Sequence, residues 1–299
     1  MSVILITGAA TGIGNLTARH LAAAGHTVFA SMRGVDGRNA ERAAGLLDTA
    51  ARDGVDLRVV ELDVTSDDSA QAAVDRIVAE AGGLDVVVNN AGHLNVGYVE
   101  AFTPDELMHL IDVNTIGVHR VNRAVLPHFR ERRSGTLLYV GSTIPVTTPP
   151  FLGPYVVSKA AMDALAVTTA YEANAFGIET VIVMPGPITQ GTEHFPNAGR
   201  ASDLERTSAY QVLDPLVAAN EQATAGLLGP GPLQGAEGVA EEVVRVLALP
   251  FGAKPFRTVV DDADAGVEHV NWAAYQARAA FVQRLGMAEL LHPAARVAP

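Results

Sequence analysis

The chain has 299 residues, of which 48% are apolar, 21 are basic and 33 are acidic, for a net charge of −12. That length suits one large α/β domain or two small ones and can bury a substantial core. The negative balance argues against nucleic acid or an anionic membrane as partner, and the lack of cysteine excludes disulfides, thiolate metal sites and a cysteine nucleophile. No uncharged apolar run of membrane-spanning length appears, and the start lacks the basic region of a signal peptide, so a cytoplasmic protein is expected. The histidines are scattered, with no metal-ligand spacing, and no metal is expected.

A strand predicted over residues 3–7 runs into Thr7-Gly8-Ala9-Ala10-Thr11-Gly12-Ile13-Gly14, and a helix follows over 12–24. Glycines at 8, 12 and 14 permit a tight turn, close approach of backbone to a pyrophosphate, and close helix–strand packing. The helix N-terminus adds free amides and partial positive charge for the anion. The spacing differs from Gly-x-Gly-x-x-Gly, and there is no lysine for a nucleoside-triphosphate loop. Further strands are predicted at 27–32, 57–62, 86–89, 136–140, 179–184 and 256–260. Helices alternate with them at 38–53, 67–81, 104–133, 153–176 and 237–249. Such alternation means parallel strands, right-handed crossovers, and helices on both faces. The interior strands read as near-continuous apolar runs, as burial on both faces demands.

The expected fold class is therefore α/β: one doubly wound domain over 1–299 with a seven-stranded parallel sheet. The stretch 189–235 breaks the alternation. Rich in glycine, proline and polar residues, with Gly229-Pro230-Gly231-Pro232 near its end, it reads as a substrate-binding insertion. A helical extension is predicted at 265–291, followed by a frayed tail over 292–299.

Only two lysines occur, Lys159 and Lys254, among 21 basic side chains. Lys159 follows Tyr155 by four residues on a predicted helix, which places both on one face. At about 5.5 Å and an effective dielectric near 20, the ammonium favours phenolate by roughly 3 kcal/mol. This predicts a tyrosine moved from about 10 towards 8, able to exchange a proton near neutral pH. Arginine would be wider and a poorer point charge.

With the glycine turn and the Tyr155/Lys159 pair, the chain resembles the short-chain dehydrogenase/reductase family from about residue 3 to residue 190. The resemblance implies a Rossmann-type domain that binds a nicotinamide dinucleotide. It assigns the segment from Thr7 to Gly14, with Gly8, Thr11, Gly12, Ile13 and Gly14, to the cofactor loop. Asp63 and Val64 resemble the adenine-binding pair. Asn89 and the adjoining Asn90, Ala91 and Gly92 resemble the motif that lies along the cofactor. Asn114 resembles the helix asparagine that holds a water behind the lysine. Ser142, thirteen residues before Tyr155, resembles the catalytic serine. Pro185 and Gly186, with Ile188 and Thr189, resemble the nicotinamide-contacting segment. The implied catalytic set is Asn114, Ser142, Tyr155 and Lys159, with Tyr155 and Lys159 also touching the cofactor.

After the second strand, Met32 stands where an NAD enzyme usually carries a ribose-binding acid, and Arg33 follows. Arg33 and Ser31 suit a 2′-phosphate, so NADP(H) is the expected cofactor. Asp36 stands nearby as an alternative reader of the ribose. Candidate pocket walls are His93, Leu94, Val96, Thr143, Ile144, Val146, Phe151, Leu152, Pro187 and Ile188. They include no arginine or lysine, so the expected substrate is an uncharged, fairly hydrophobic ketone, aldehyde or secondary alcohol. A non-enzymatic dinucleotide sensor on the same fold is the alternative, although sensors usually lose the tyrosine or lysine. The helices at 104–133 and 153–176 resemble those that pair across subunits in the family, implying a homodimer or homotetramer.

Overall fold

The structure, a computed structural model, describes residues 1–188, 191–193, 195–228 and 234–295. Seven strands form one sheet: β1 (Val3–Ile6), β2 (Thr27–Met32), β3 (Leu57–Glu61), β4 (Val86–Asn89), β5 (Gly135–Val140), β6 (Ile178–Pro185) and β7 (Arg257–Val260). All adjacent pairs are parallel, in the order β3-β2-β1-β4-β5-β6-β7. The helices are α1 (Gly12–Ala23), α2 (Ala40–Asp53), α3 (Asp67–Ala81), α4 (Pro104–Ile111), α5 (Gly117–Arg132), α6 (Ile144–Thr147), α7 (Gly153–Asn174), α8 (Leu204–Ala209), α9 (Asp214–Ala218), α10 (Asn220–Gly226), α11 (Gly235–Leu247) and α12 (Val267–Arg284).

Side chains alternate across the sheet, so each strand feeds two cores. Ile4 and Ile6 pack with Leu21, Leu46, Val243 and Leu138 beneath α1, α2 and α11. Leu5 packs with Ile77, Val121, Phe129, Tyr139 and Met162 beneath α3, α5 and α7. Each fully buried leucine or isoleucine contributes about 1.5–3 kcal/mol. This two-sided burial is why the strands read as apolar runs. The ends of the helices follow local chemistry. Ser66 caps α3 through the Ser69 amide, and Thr103 and Glu106 form a capping box on α4. Gly54 and Gly82 close α2 and α3 in left-handed conformations.

Three segments differ from expectation. The helix predicted over 104–133 is opened by a π-helical turn, Asp112–Ile116, between α4 and α5. The helix predicted over 265–291 stops at Arg284, because Gly286 takes φ +75°. A short 3₁₀ turn, Ala288–Leu291, follows, and the amide of Ala294 donates to the Asn174 carbonyl at 2.7 Å. The chain is therefore docked through residue 294 rather than frayed from 292. The insertion at 189–235, for which no helix was predicted, carries three short ones, α8 to α10. Its Gly229-Pro230-Gly231-Pro232 run lies outside the described residues, as do residues 296–299 of the tail.

From β1 the chain winds outward to β2 and β3, then returns to β4 beside β1 and winds the other way. The carboxyl ends of β1 and β4 thus bound a crevice, the place where such sheets bind ligands.

Candidate active site

The crevice floor is the glycine turn. Gly8 and Gly12 have φ of +66° and +55°, a region that favours glycine. A Cβ on Gly8 would stand 2.8 Å from Ala91 Cα, so residue 91 forbids a side chain there. One on Gly14 would meet the Gly8 carbonyl at 2.6 Å. Gly12 is open on the remaining side, with nothing nearer to such an atom than Thr192 at 3.5 Å. Thr7 Oγ1 accepts from the amides of Asn90 and Ala91 at 2.9 and 3.0 Å. Asn90 Nδ2 returns bonds to the carbonyls of Thr7 and Gly8. This lattice locks residues 90–92 onto the turn. Thr11 begins α1, yet no side chain caps that helix and no acid occupies its first turn. Thr11, Gly12 and Ile13 therefore present an N-terminus suited to an anion.

The outer end of the crevice is arginine-rich. Met32 is buried, and Arg33 and Asp36 are exposed beyond it. Ser31 is fully buried with an unpartnered hydroxyl, so its side chain is closed off from the surface where Arg33 stands. The Glu61 carboxylate accepts the amides of Gly34 and Val35 at 2.8 Å each, which shapes the turn after Arg33. Arg38 packs beside Gly34, and Arg42 donates to Asn39 and to Glu193. Sequence reasoning missed Arg38 and Arg42. Arg38 lies two residues before α2 and Arg42 in its first turn. Asp63 Oδ1 accepts the amide and hydroxyl of Thr65. Val64 packs where a Cβ on Gly117 would collide, and its carbonyl accepts from Arg120.

The candidate catalytic residues gather near the ends of β5 and β6. Tyr155 is buried near the start of α7, and Ser142, just past β5, hydrogen-bonds it. Ser142 Oγ also accepts the Ile144 amide at 3.1 Å. Lys159 lies one turn further along α7. Its Nζ donates to the Val140 carbonyl at 2.9 Å and stands 5.9 Å from the centre of the Tyr155 ring. Asn114, in the π-helical turn, donates to the His93 carbonyl and to Ser158 Oγ, and accepts the His93 amide. Both of its N–H groups are thus committed to tying residue 93 to α7. Ser158, which sequence reasoning passed over, completes the tie by donating to the Tyr155 carbonyl. The Pro185 carbonyl accepts from Thr143, and the Gly186 amide donates to Val260. A side chain on Gly186 would collide with Asp261. Ile188 packs against the α1 side of the sheet, and Thr189 lies outside the described residues.

The electrostatics differ from the sequence expectation. Burial pushes the Tyr155 phenol above its ordinary value, and the Ser142 bond offsets part of that. Burial likewise lowers Lys159 from 10.5 to about 8. The simple spacing argument counted attraction between two charges but not the cost of drying both, and here desolvation wins.

Around Tyr155 the walls are apolar. Leu94, Val96, Leu110 and Leu152 cluster with it, joined by Ile144, Phe151, Phe195 and Val217. Val146 instead packs on the α5 side of the sheet. His93 faces His109 at 5.7 Å, and burial chiefly, then His109, lowers its pKa. Phe151 adopts φ +64°, a strained value for a side chain with a Cβ, on the approach to α7. The insertion is fastened to the segment 94–100 beside these residues. Gly199 pairs its backbone with Leu94 and Val96, Tyr98 donates to Asp214 at 2.7 Å, and Tyr210 stacks on Tyr98 and donates to Glu100. It also brings Arg200 to the Val96 carbonyl, a cation the sequence did not place at these walls.

Residues 2–201 match the family described as short chain dehydrogenase. The chain belongs to the short-chain dehydrogenase/reductase family. It is 33% identical over 189 residues to 3-ketodihydrosphingosine reductase of Bacteroides thetaiotaomicron, covering 63% of this chain and 65% of that one. Against 3-alpha-(or 20-beta)-hydroxysteroid dehydrogenase of Mycobacterium tuberculosis it is 32% identical over 220 residues, covering 73% and 79%. The matches thus span a little under two thirds of the first relative's length and more of the second's. Among solved structures, a short-chain dehydrogenase from Streptomyces avermitilis superposes with a TM-score of 0.73 at 26% identity, over 95% of this chain and 97% of that one. An alcohol dehydrogenase from Thermococcus sibiricus, complexed with 5-hydroxy-NADP, gives 0.67 at 25% identity, over 87% and 95%. In this short-chain dehydrogenase/reductase no helix among the described residues is long and apolar enough to cross a membrane.

Proposed function

We propose that the chain is an NADP(H)-dependent oxidoreductase that interconverts a hydrophobic, uncharged ketone or aldehyde and its alcohol. The observation that carries this reading is the buried Ser142–Tyr155–Lys159 cluster beside a group of apolar side chains at the carboxyl ends of the strands. The residues present fit a dinucleotide. The uncapped start of α1 suits the pyrophosphate, Asp63 the adenine, and Arg33 with Arg38 and Arg42 a 2′-phosphate. Met32 in place of an acid, and the neighbour bound to 5-hydroxy-NADP, both favour NADP(H). When bound, the nicotinamide supplies or accepts the hydride.

Tyr155 donates its hydroxyl proton to the carbonyl oxygen in reduction and removes a proton from the alcohol in oxidation. Ser142 hydrogen-bonds the same oxygen and steadies its developing charge. Lys159 would hold the ribose hydroxyls of a bound dinucleotide, and its charge, where retained, favours the phenolate of Tyr155. Asn114 fixes residue 93 against α7 and so holds the pocket floor beside the lysine. Two relatives are named for a ketodihydrosphingosine and a hydroxysteroid, both in keeping with apolar walls. Exposed Met108 on α4, Ile116 in the turn between α4 and α5, and Val157 on α7 support pairing of subunits through these helices. Consumption of NADPH and NADH with a panel of apolar ketones and aldehydes tests the reading. Turnover with NADPH and an apolar ketone is expected, and no turnover with either cofactor overturns it.

A further inference from the structure

A cavity of about 650 Å³ opens away from the catalytic cleft, between α7, the start of β6, the edge strand β7 and α12. Tyr171, Phe256, Trp272 and Tyr275 give it aromatic walls, and Lys254, Arg257 and Arg278 give it cations. Two of these cations are paired. Lys254 bonds Glu179 at 2.7 Å, both nearly fully buried, and Arg257 bonds Asp163 at 2.6 Å. Arg278 is different. Its guanidinium carbon stands 5.0 Å from the Phe256 ring centre and 5.7 Å from that of Tyr275, and among the described residues it has no carboxylate within ion-pair distance. Burial chiefly holds the Arg257 guanidinium below its ordinary value; Asp163 opposes this, and the nearby Arg278 adds a smaller lowering. The remaining acid on the wall, Glu268, is ten residues earlier on α12, about 15 Å along the helix axis.

Eight buried side-chain nitrogen or oxygen atoms lack a hydrogen-bond partner among the described residues, and four belong to residues lining this one cavity. They are Tyr171 Oη, Thr180 Oγ1, Arg257 Nη1 and Arg278 Nε, and all four can donate. The surroundings thus combine donors in excess of acceptors, one cation without an acid, and apolar rings. The volume lies within the roughly 300–1,000 Å³ usual for small-molecule sites.

We propose that this cavity binds an amphipathic organic carboxylate, with its carboxylate at Arg278 and its apolar body against Phe256, Trp272 and Tyr275. Trp272 is the only tryptophan in the chain, so its emission reports occupancy of this wall alone. The test titrates the whole protein with sodium octanoate and, separately, with octan-1-ol, which has the same body without the charge. Octanoate is expected to give a saturable change in Trp272 emission, at least ten times tighter than octanol. Arg278→Gln should weaken octanoate about ten- to hundred-fold, the usual effect of losing a charge-assisted bond, and leave octanol unchanged. Arg278→Lys keeps the charge and should recover part of the affinity, which separates recognition from damage to the fold. Equal responses to octanoate and octanol overturn the proposal. So does a titration untouched by Arg278→Gln, or the absence of saturation at millimolar octanoate.

Discussion

Lys159→Met should make the protein more stable at neutral pH while removing its activity. Lys159 is almost wholly buried, and its Nζ donates to the Val140 carbonyl. The amine titrates near 10.5 in an unfolded chain and near 8 in the folded one, because burial disfavours the charge. Below pH 8 both states are protonated, and the fold carries the whole cost of drying an ammonium. Between about 8 and 10.5 the folded chain has lost the proton and the unfolded chain still holds it. Stability therefore rises with pH across that window and levels off above it. At about 1.36 kcal/mol per pH unit, the gap is worth about 3 kcal/mol. Methionine keeps the length and cannot titrate. It forfeits the Val140 bond, worth about 1 kcal/mol. The variant should thus be about 2 kcal/mol more stable than wild type at pH 7; the advantage should vanish at about pH 9.5 and reverse by up to about 1 kcal/mol above about pH 10.5. Urea unfolding of both proteins without cofactor, at several pH values from 7 to 10.5, measures the difference. A difference that stays constant across this range would refute the reasoning, since only a lysine with a depressed pKa makes it vary.

Tyr155→Phe should lower turnover by about 10²–10⁴-fold, the usual loss of a general acid, with cofactor affinity in a binding titration nearly intact. Arg33→Ala should weaken NADPH about ten- to hundred-fold and leave NADH little changed; equal losses for both would move the ribose reader to Asp36. Gly14→Ala sets a methyl against the Gly8 carbonyl and should cost about 1–3 kcal/mol, visible as a lowered melting temperature, and should weaken dinucleotide binding as well. Tyr98→Phe removes the bond to Asp214 that fastens the insertion and should raise KM for an apolar substrate more than it lowers kcat; unchanged steady-state kinetics would mean that this tie does not shape the pocket.

Much of the fold was legible because burial leaves its mark on single segments. Strands such as Ile4-Leu5-Ile6 are covered on both faces, so they must be apolar throughout, and all seven predicted strands lie within two residues of those in the sheet. The glycine turn was legible for a related reason. Only glycine tolerates a positive φ beside the Ala91 backbone, so the conformation was written in the residue type. Tyr155 and Lys159 could be paired from their spacing, because four residues on a helix fix a common face.

What escaped the sequence depends on atoms that arrive from elsewhere in the chain. The break at Asp112–Ile116 reflects the bonds Asn114 makes to His93 and Ser158, twenty-one and forty-four residues away. The helical insertion gains its order from long-range ties, Tyr98 to Asp214 and Gly199 to Leu94, which no local pattern announces. The sequence by itself determined the strands, the glycine turn and the common face of Tyr155 and Lys159, because these follow from local conformation and spacing. Tertiary structure alone decided the direction in which Tyr155 and Lys159 titrate and the gathering of Arg257, Arg278 and four aromatic rings around one cavity, because desolvation and convergence are sums over distant neighbours.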